Sequence, residues 1–223
     1  MVTLGIDSSD DFISVGLADS GRILISRSSE PEARNKNMIH RFISDILKEA
    51  GKNINDLESV AVVIGPGSFT GLRVGLATAK GICWPLGLPL VGISSLLAVA
   101  KCAQITDGNF LTVKDAKRSE FYYAGYRKDD SNLEQLIPDT IGPAQDIIDL
   151  MEDGFAIAGP GIEELRKHLS SRVESIGKYH RHGLGGAVAL IGLDMISKGE
   201  TLDLATSAPN YIRTPKPKEW KSE

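Results

Sequence analysis

Short blocks of apolar residues, separated by polar turns, mark out the first half of the chain as a mixed α/β unit. Residues 2–6 and 12–17 read as strands divided by the polar Asp7-Ser8-Ser9-Asp10-Asp11. Asp19-Ser20-Gly21 is a hairpin turn into a third strand at 22–27. A polar loop at 28–37 leads into a helix at 38–50, ended by Gly51. The wholly apolar, β-branched run 59–64 predicts a strand covered on both faces. Residues 65–67 then turn the chain into a second helix at 70–84, which Pro85 and Gly87 stop. A buried strand follows at 89–93, and Ser94 or Ser95 caps a helix that runs to 104. The order β-β-β-α-β-α-β-α, a meander feeding βαβ units, implies a mixed sheet with helices on both faces.

The second half is less regular. A strand pair is expected at 109–113 and 120–126, with a turn at 128–131 into a strand at 133–137. Helices follow at 143–151, 162–169 and 184–197, with a strand at 155–158. Thr106-Asp107-Gly108 is the composition shift that most resembles a boundary. The expected units are therefore 1–106 and a smaller 107–223, the latter ending in a mobile tail rich in proline and charge at 215–220.

The sharpest motif is Gly65-Pro66-Gly67-Ser68-Phe69-Thr70-Gly71-Leu72-Arg73-Val74-Gly75, set between a buried strand and a helix. A glycine-rich loop there usually cradles phosphate. The spacing does not match: Leu72 follows Gly71 where a P-loop needs Lys, and the third glycine comes one residue late for a dinucleotide fold. Gly71, Gly75 and Ala79 instead recur every four residues, a smooth stripe that lets another helix approach closely. Glycine within a helix costs about 1 kcal/mol relative to alanine, so the stripe needs a packing reason, internal or supplied by a partner. The first helix is apolar over about half its circumference, more than a core-facing stripe needs. Met38, Phe42, Gly71, Arg73, Gly75 and Ala79 are thus the candidate partner-binding residues.

Composition narrows the function further. Lys and Arg total 25 against 29 Asp and Glu, a net charge of −4. That balance argues against autonomous nucleic-acid binding, which depends on neutralising phosphates. Cys83 and Cys102 lie in apolar helical patterns without CxxC spacing and read as buried small side chains. His40 falls on the polar side of its helix with no ligand at i±4. His180 and His182 share a loop without an acid or cysteine nearby, so no metal site is expected. The opening residues lack the basic and apolar regions of a signal peptide. The 184–197 run is shorter than the ~20 residues of a membrane span and contains Asp194. A soluble cytoplasmic protein without membrane attachment is expected.

Leu4-Gly5-Ile6-Asp7-Ser8-Ser9, the run 65–75, Pro89-Leu90-Val91-Gly92-Ile93-Ser94-Ser95-Leu96, Asp115-Ala116-Lys117-Arg118-Ser119-Glu120-Phe121-Tyr122 and Ala208-Pro209-Asn210-Tyr211-Ile212-Arg213 occur in one order over nearly the whole chain. In these pieces the sequence closely resembles the TsaB (YeaZ) family, a subunit of the bacterial system that makes threonylcarbamoyladenosine in tRNA. The resemblance implies an actin-like ATPase fold of two lobes. It makes Asp7, Ser8 and Ser9 a vestigial nucleotide loop, at the strand end where such ATPases hold phosphate and magnesium. It also implies a non-catalytic subunit, with no catalytic residue of its own, that supports a TsaD-like transferase acting on tRNAs that read ANN codons. A TsaE-like ATPase would join the pair, tRNA would be met only through the complex, and the chain alone would form a homodimer. No intrinsic cofactor is implied; ATP or ADP would sit at an interface of the assembled complex. The metal-binding histidine pair of TsaD aligns with Asn35 and Ile39, neither of which replaces imidazole. Asn35-Lys36 also departs from the His-Ser pair that many relatives carry there. The alternatives are a stand-alone actin-like ATPase, for which Ala158-Gly159-Pro160-Gly161 is the only glycine-rich loop in the second half, and a metal-dependent glycopeptidase-like enzyme.

Overall fold

The computed structural model describes residues 1–30, 38–130, 132–169 and 177–213. The entrance to the first helix at 31–37, which includes Asn35 and Lys36, and the tail at 215–220 lie outside them. The meander and its crossovers form a five-stranded sheet in the order β3-β2-β1-β4-β5. Its strands are β1 (Val2–Asp7), β2 (Ser14–Asp19), β3 (Arg22–Ser28), β4 (Ser59–Gly65) and β5 (Leu90–Ser94). The first three are antiparallel, whereas β4 and β5 run parallel to β1. Tight turns suffice for the former, and helical crossovers are needed for the latter. Those crossovers are α1 (Ile39–Glu49) and α2 (Phe69–Leu86).

A second sheet follows in the order β8-β7-β6-β9. It comprises β6 (Gly108–Asp115), β7 (Glu120–Asp129), β8 (Asn132–Pro143) and β9 (Ala156–Ala158). The remaining helices are α3 (Ser95–Cys102), α4 (Ala144–Glu152), α5 (Ile162–Leu165) and α6 (Leu184–Ser197).

Period-two alternation divides the first sheet between two cores. Leu4, Ile6, Val60 and Val62 meet Ile39, Ile43 and Ile46 of α1 and Leu76 and Ala79 of α2. Ala61, Val63, Val91 and Ile93 turn to the other face, against Ala98 and Val99 of α3 and Leu184, Val188 and Ile191 of α6. Helix α6 lies directly on the sheet backbone: a Cβ at Gly5 would strike the Gly185 carbonyl and Ala189, and one at Gly16 would strike Gly186. The expected second unit, 107–223, therefore takes in a helix that completes the first sheet. An almost wholly apolar helix carries no periodicity that says which sheet it covers. Helix α3 serves both sheets, since its Leu96 and Ala100 pack with Phe110, Ala124 and Tyr126 of the second.

Three of the boundaries that differ from the sequence reading have a direct physical reason. Helix α2 continues through Pro85 to Leu86 before Gly87, at φ 64°, caps it by donating to the Cys83 carbonyl. In the last turn a proline removes one bond without breaking the helix behind it. Strand β8 extends past Pro138 to Pro143, which an edge strand tolerates because one row of its amides has no partner strand. The helix expected at 162–169 becomes a 3-10 turn after Leu165. Among the described residues no helix is long and apolar enough to cross a membrane.

Candidate functional site

The ends of β1, β4 and β6 meet in a cleft between the sheets, and there the polar groups bind one another. Asp7, Ser8 and Ser9 are all buried. Asp7 Oδ1 accepts the Ser9 amide at 2.8 Å, a turn that fixes the loop locally. Ser8 Oγ donates to the Gly71 carbonyl at 2.8 Å. The Ser9 carbonyl accepts the Ser68 amide at 2.7 Å. Ser9 Oγ accepts from Lys114 Nζ at 2.8 Å, and the same ammonium lies 3.1 Å from Asp10 Oδ1 and 3.5 Å from the Pro66 carbonyl. Ser95 Oγ also donates to that carbonyl, at 2.5 Å. Burial pushes the Asp10 carboxyl above its ordinary value, and the Lys114 charge opposes the rise.

Two adjoining cavities of about 580 and 600 Å³ open from this knot. The first is lined by charges of both signs, with Asp10, Asp11 and Glu164 facing Lys114, Lys117 and Arg181. The second lies beneath the turn Lys117-Arg118-Ser119, whose φ angles of 63°, 61° and 61° are all left-handed. Three consecutive non-glycine residues in that region need external support. Here Lys117 N–H donates to Asp115 Oδ1 at 2.6 Å, and Arg213 reaches the Ala116 carbonyl at 2.8 Å and the Glu120 carboxylate. The arm carrying Arg213 spans the cleft: Asn210 N–H donates to the Ile64 carbonyl, and Tyr211 stacks on Phe69 at 4.8 Å. Arg73 donates to the Tyr211 hydroxyl at 2.9 Å, so this candidate partner contact is already engaged within the chain.

The cleft does not fit a metal-bound nucleoside triphosphate. The Ser8 and Ser9 hydroxyls are committed to the chain itself, and a lysine ammonium fills the space beside them. The glycine-rich loop at 158–161 leaves no cradle, because Gly161 N–H binds the Val113 carbonyl at 2.9 Å and a Cβ at Gly159 would strike that same oxygen. Among the described residues, no three His, Cys, Asp or Glu side chains gather as a metal cage. Asn35 lies outside those residues, and Ile39 is buried in the first core.

The α1–α2 face is built differently. Ile39, Ile43, Ile46 and Leu47 are buried and Met38 and Phe42 are half-buried, Phe42 against the first core. His40, Arg41, Ser44, Lys48 and Glu49 point to solvent. Gly71, Gly75 and Ala79 are buried, and a Cβ at Gly75 would strike Ser8 Oγ. The close approach that Gly75 permits is therefore to the chain's own first loop, the internal one of the two packing reasons. The outward side of α2 carries Thr70, Arg73, Ala77, Gly81 and Trp84. Gly81 faces open space, and Trp84 is 66% exposed. A groove of about 390 Å³ is lined mainly by α1 and the segment after it, with His40, Leu47 and Ile54, and by Ile82 of α2.

Sequence reasoning passed over Lys114, Asp10 and Trp84. Lys114 had a signal: alternation puts it on the same face of β6 as buried Phe110 and Thr112, where a lysine requires an acceptor. His180 and His182 are exposed as read, with His180 Nε2 at 2.5 Å from the Gln104 amide. Cys83 is buried and Cys102 half-buried, and desolvation pushes both thiols up to about 12.

Comparison with known proteins agrees with this architecture. The family model described as "TsaD: tRNA N6-adenosine threonylcarbamoyltransferase" matches residues 31–217. The tRNA threonylcarbamoyladenosine biosynthesis protein TsaB of Escherichia coli is 31% identical over 135 residues, 60% of this chain and 58% of that protein. The protein of the same name from Bacillus subtilis is 26% identical over 153 residues, 69% and 67% of the two chains. The matched stretch thus spans little more than half of the E. coli relative. Among solved structures, YeaZ from Pseudomonas aeruginosa superposes with a TM-score of 0.78 at 22% identity, covering 94% of this chain and 99% of that one. The activator of the 2-hydroxyisocaproyl-CoA dehydratase from Clostridium difficile, solved with bound ADPNP, reaches a TM-score of 0.50 at 10% identity, over 89% of this chain and 97% of its own. The architecture is the actin-like ATPase fold. The chain belongs to the family that this model describes and, within it, to the TsaB group.

Proposed function

We propose that the chain is a non-catalytic subunit in the formation of threonylcarbamoyladenosine in tRNAs that read ANN codons, supporting a TsaD-like transferase through the α1–α2 face. The observation that carries this reading is the contrast along α2. Gly75 has an internal reason to be glycine, whereas Gly81 faces open space in the same helix as the 66% exposed Trp84. A helix keeps an interior glycine at a cost of about 1 kcal/mol, which the close approach of a second helix would offset. A TsaD-like paralogue with the same fold offers an equivalent helix pair, and a second copy of this chain would be the substitute when the paralogue is absent. A TsaE-like ATPase would join the pair, with ATP or ADP at an interface of the assembly. The self-satisfied cleft supports a role without nucleotide turnover in this chain alone. At net charge −4, tRNA contact belongs to the complex. The names of the E. coli and B. subtilis relatives support the pathway, and a cytoplasmic location goes with it.

The test mixes the purified chain with the TsaD-like paralogue from the same genome and measures complex mass by light scattering. A heterodimer that Gly81→Leu abolishes, while the variant keeps its helical circular dichroism, is the expected result. A complex unaffected by Gly81→Leu would remove this face from the proposal.

A further inference from the structure

We propose that the Lys114 ammonium is a tethered cation. It occupies the cleft in place of a metal ion and holds the two sheets closed on each other without any ligand. Lys114 belongs to β6 of the second sheet, and all three of its oxygen partners come from loops of the first. Ser9 and Asp10 follow β1, and Pro66 follows β4. A hydroxyl at 2.8 Å, a carboxylate at 3.1 Å and a backbone carbonyl at 3.5 Å surround the nitrogen. That is the set of oxygen types a hard divalent cation takes, at the longer distances an ammonium needs. The Lys114 side chain is 3% exposed, so the contact is a buried link between sheets and not a solvated surface pair.

Asp10 gives the second observation. Its Oδ2 is enclosed and has no hydrogen-bond partner among the described residues. The cage therefore holds one more acceptor oxygen than the ammonium uses, as a site shaped for a cation of higher coordination number would. The loop at 160–161 closes the same place from behind, since a Cβ at Gly161 would strike the Lys114 backbone. A metal ion and this ammonium cannot share the cage, so lobe closure in this chain is independent of divalent cations.

Hydrogen–deuterium exchange of the full chain, read at 64–72 and 110–116, tests the assignment on wild type, Lys114→Ala and Lys114→Met. Chelator should leave wild-type protection unchanged. Both variants should exchange at least tenfold faster in these segments. Millimolar magnesium, manganese or methylammonium should return protection to Lys114→Ala, with bound manganese visible by electron paramagnetic resonance. The double variant Asp10→Asn/Lys114→Ala should not respond to the metals. If Lys114→Ala does not fold in plain buffer, refolding that occurs only with added cation supports the assignment, and failure in both conditions overturns it. Wild-type protection in Lys114→Ala, or a loss that no cation repairs, also overturns it.

Discussion

The two ends of helix α2 face different environments. Its N-terminal turn is bound to the chain's own loops, with Gly71 accepting from Ser8 and Gly75 pressed on the Ser8 hydroxyl. Its C-terminal half offers Ala77, Gly81 and Trp84 to solvent. Similar small residues therefore serve internal packing at one end and leave a vacant surface at the other. Spacing alone does not separate these uses. What separates them is the neighbour that a Cβ would meet.

Substitutions at the two glycines should break the helix's symmetry most clearly. Gly75→Leu forces a side chain into the Ser8 loop and should destabilise the fold by about 3 kcal/mol, the upper part of the overpacking range. Urea unfolding checks this, and a midpoint equal to wild type would contradict the internal role. Gly81→Leu should act in the opposite direction on stability, raising it by about 0.8 kcal/mol because leucine is the better helix former. The same variant should weaken binding of the TsaD-like partner at least tenfold, or about 1.4 kcal/mol, by titration calorimetry.

A smaller effect is expected where the second sheet meets β5. Ser94 Oγ donates to Asp139 Oδ2 at 2.6 Å, and burial pushes the Asp139 carboxyl above its ordinary value. A carboxyl raised by folding is neutral in both states at low pH. Its ionisation is disfavoured in the folded state, so stability is lost as pH rises from the unfolded value through the folded one. Asp139→Asn, which cannot ionise, should therefore gain on wild type as pH increases across that window. A stability difference independent of pH would contradict the buried contact. Smallest of all is the thiol response. With both cysteines raised to about 12, neither should react appreciably with a disulfide reagent at pH 8 unless the chain is unfolded.

Much of the fold was legible in local pattern. The hairpin at Asp19-Ser20-Gly21 marked the antiparallel strands, which pair with neighbours near in sequence, and the wholly apolar run 59–64 marked a strand covered on both faces. The return of α6 to that sheet was not legible, since Gly5, Gly16 and Gly185 reveal backbone contact only when seen together. The site divided in the same way. Asp7, Ser8 and Ser9 were found at a strand end, but what satisfies Ser9 is Lys114, 105 positions away. The packing reason that Gly75 needs, internal or supplied by a partner, stays open in the sequence because Ser8, which its Cβ would strike, lies across the fold and not along the helix.

The most direct test of the outward face of α2 uses its own tryptophan. The chain contains two, Trp84 and Trp220, so Trp220→Phe leaves Trp84 as the sole indole reporter of the protein. On titration with a tryptophan-free TsaD-like partner, emission from Trp84 should shift to shorter wavelength as the ring leaves water, saturating at one partner per chain. A complex that forms at normal affinity with Trp84 emission still at the wavelength of an exposed indole would contradict the account.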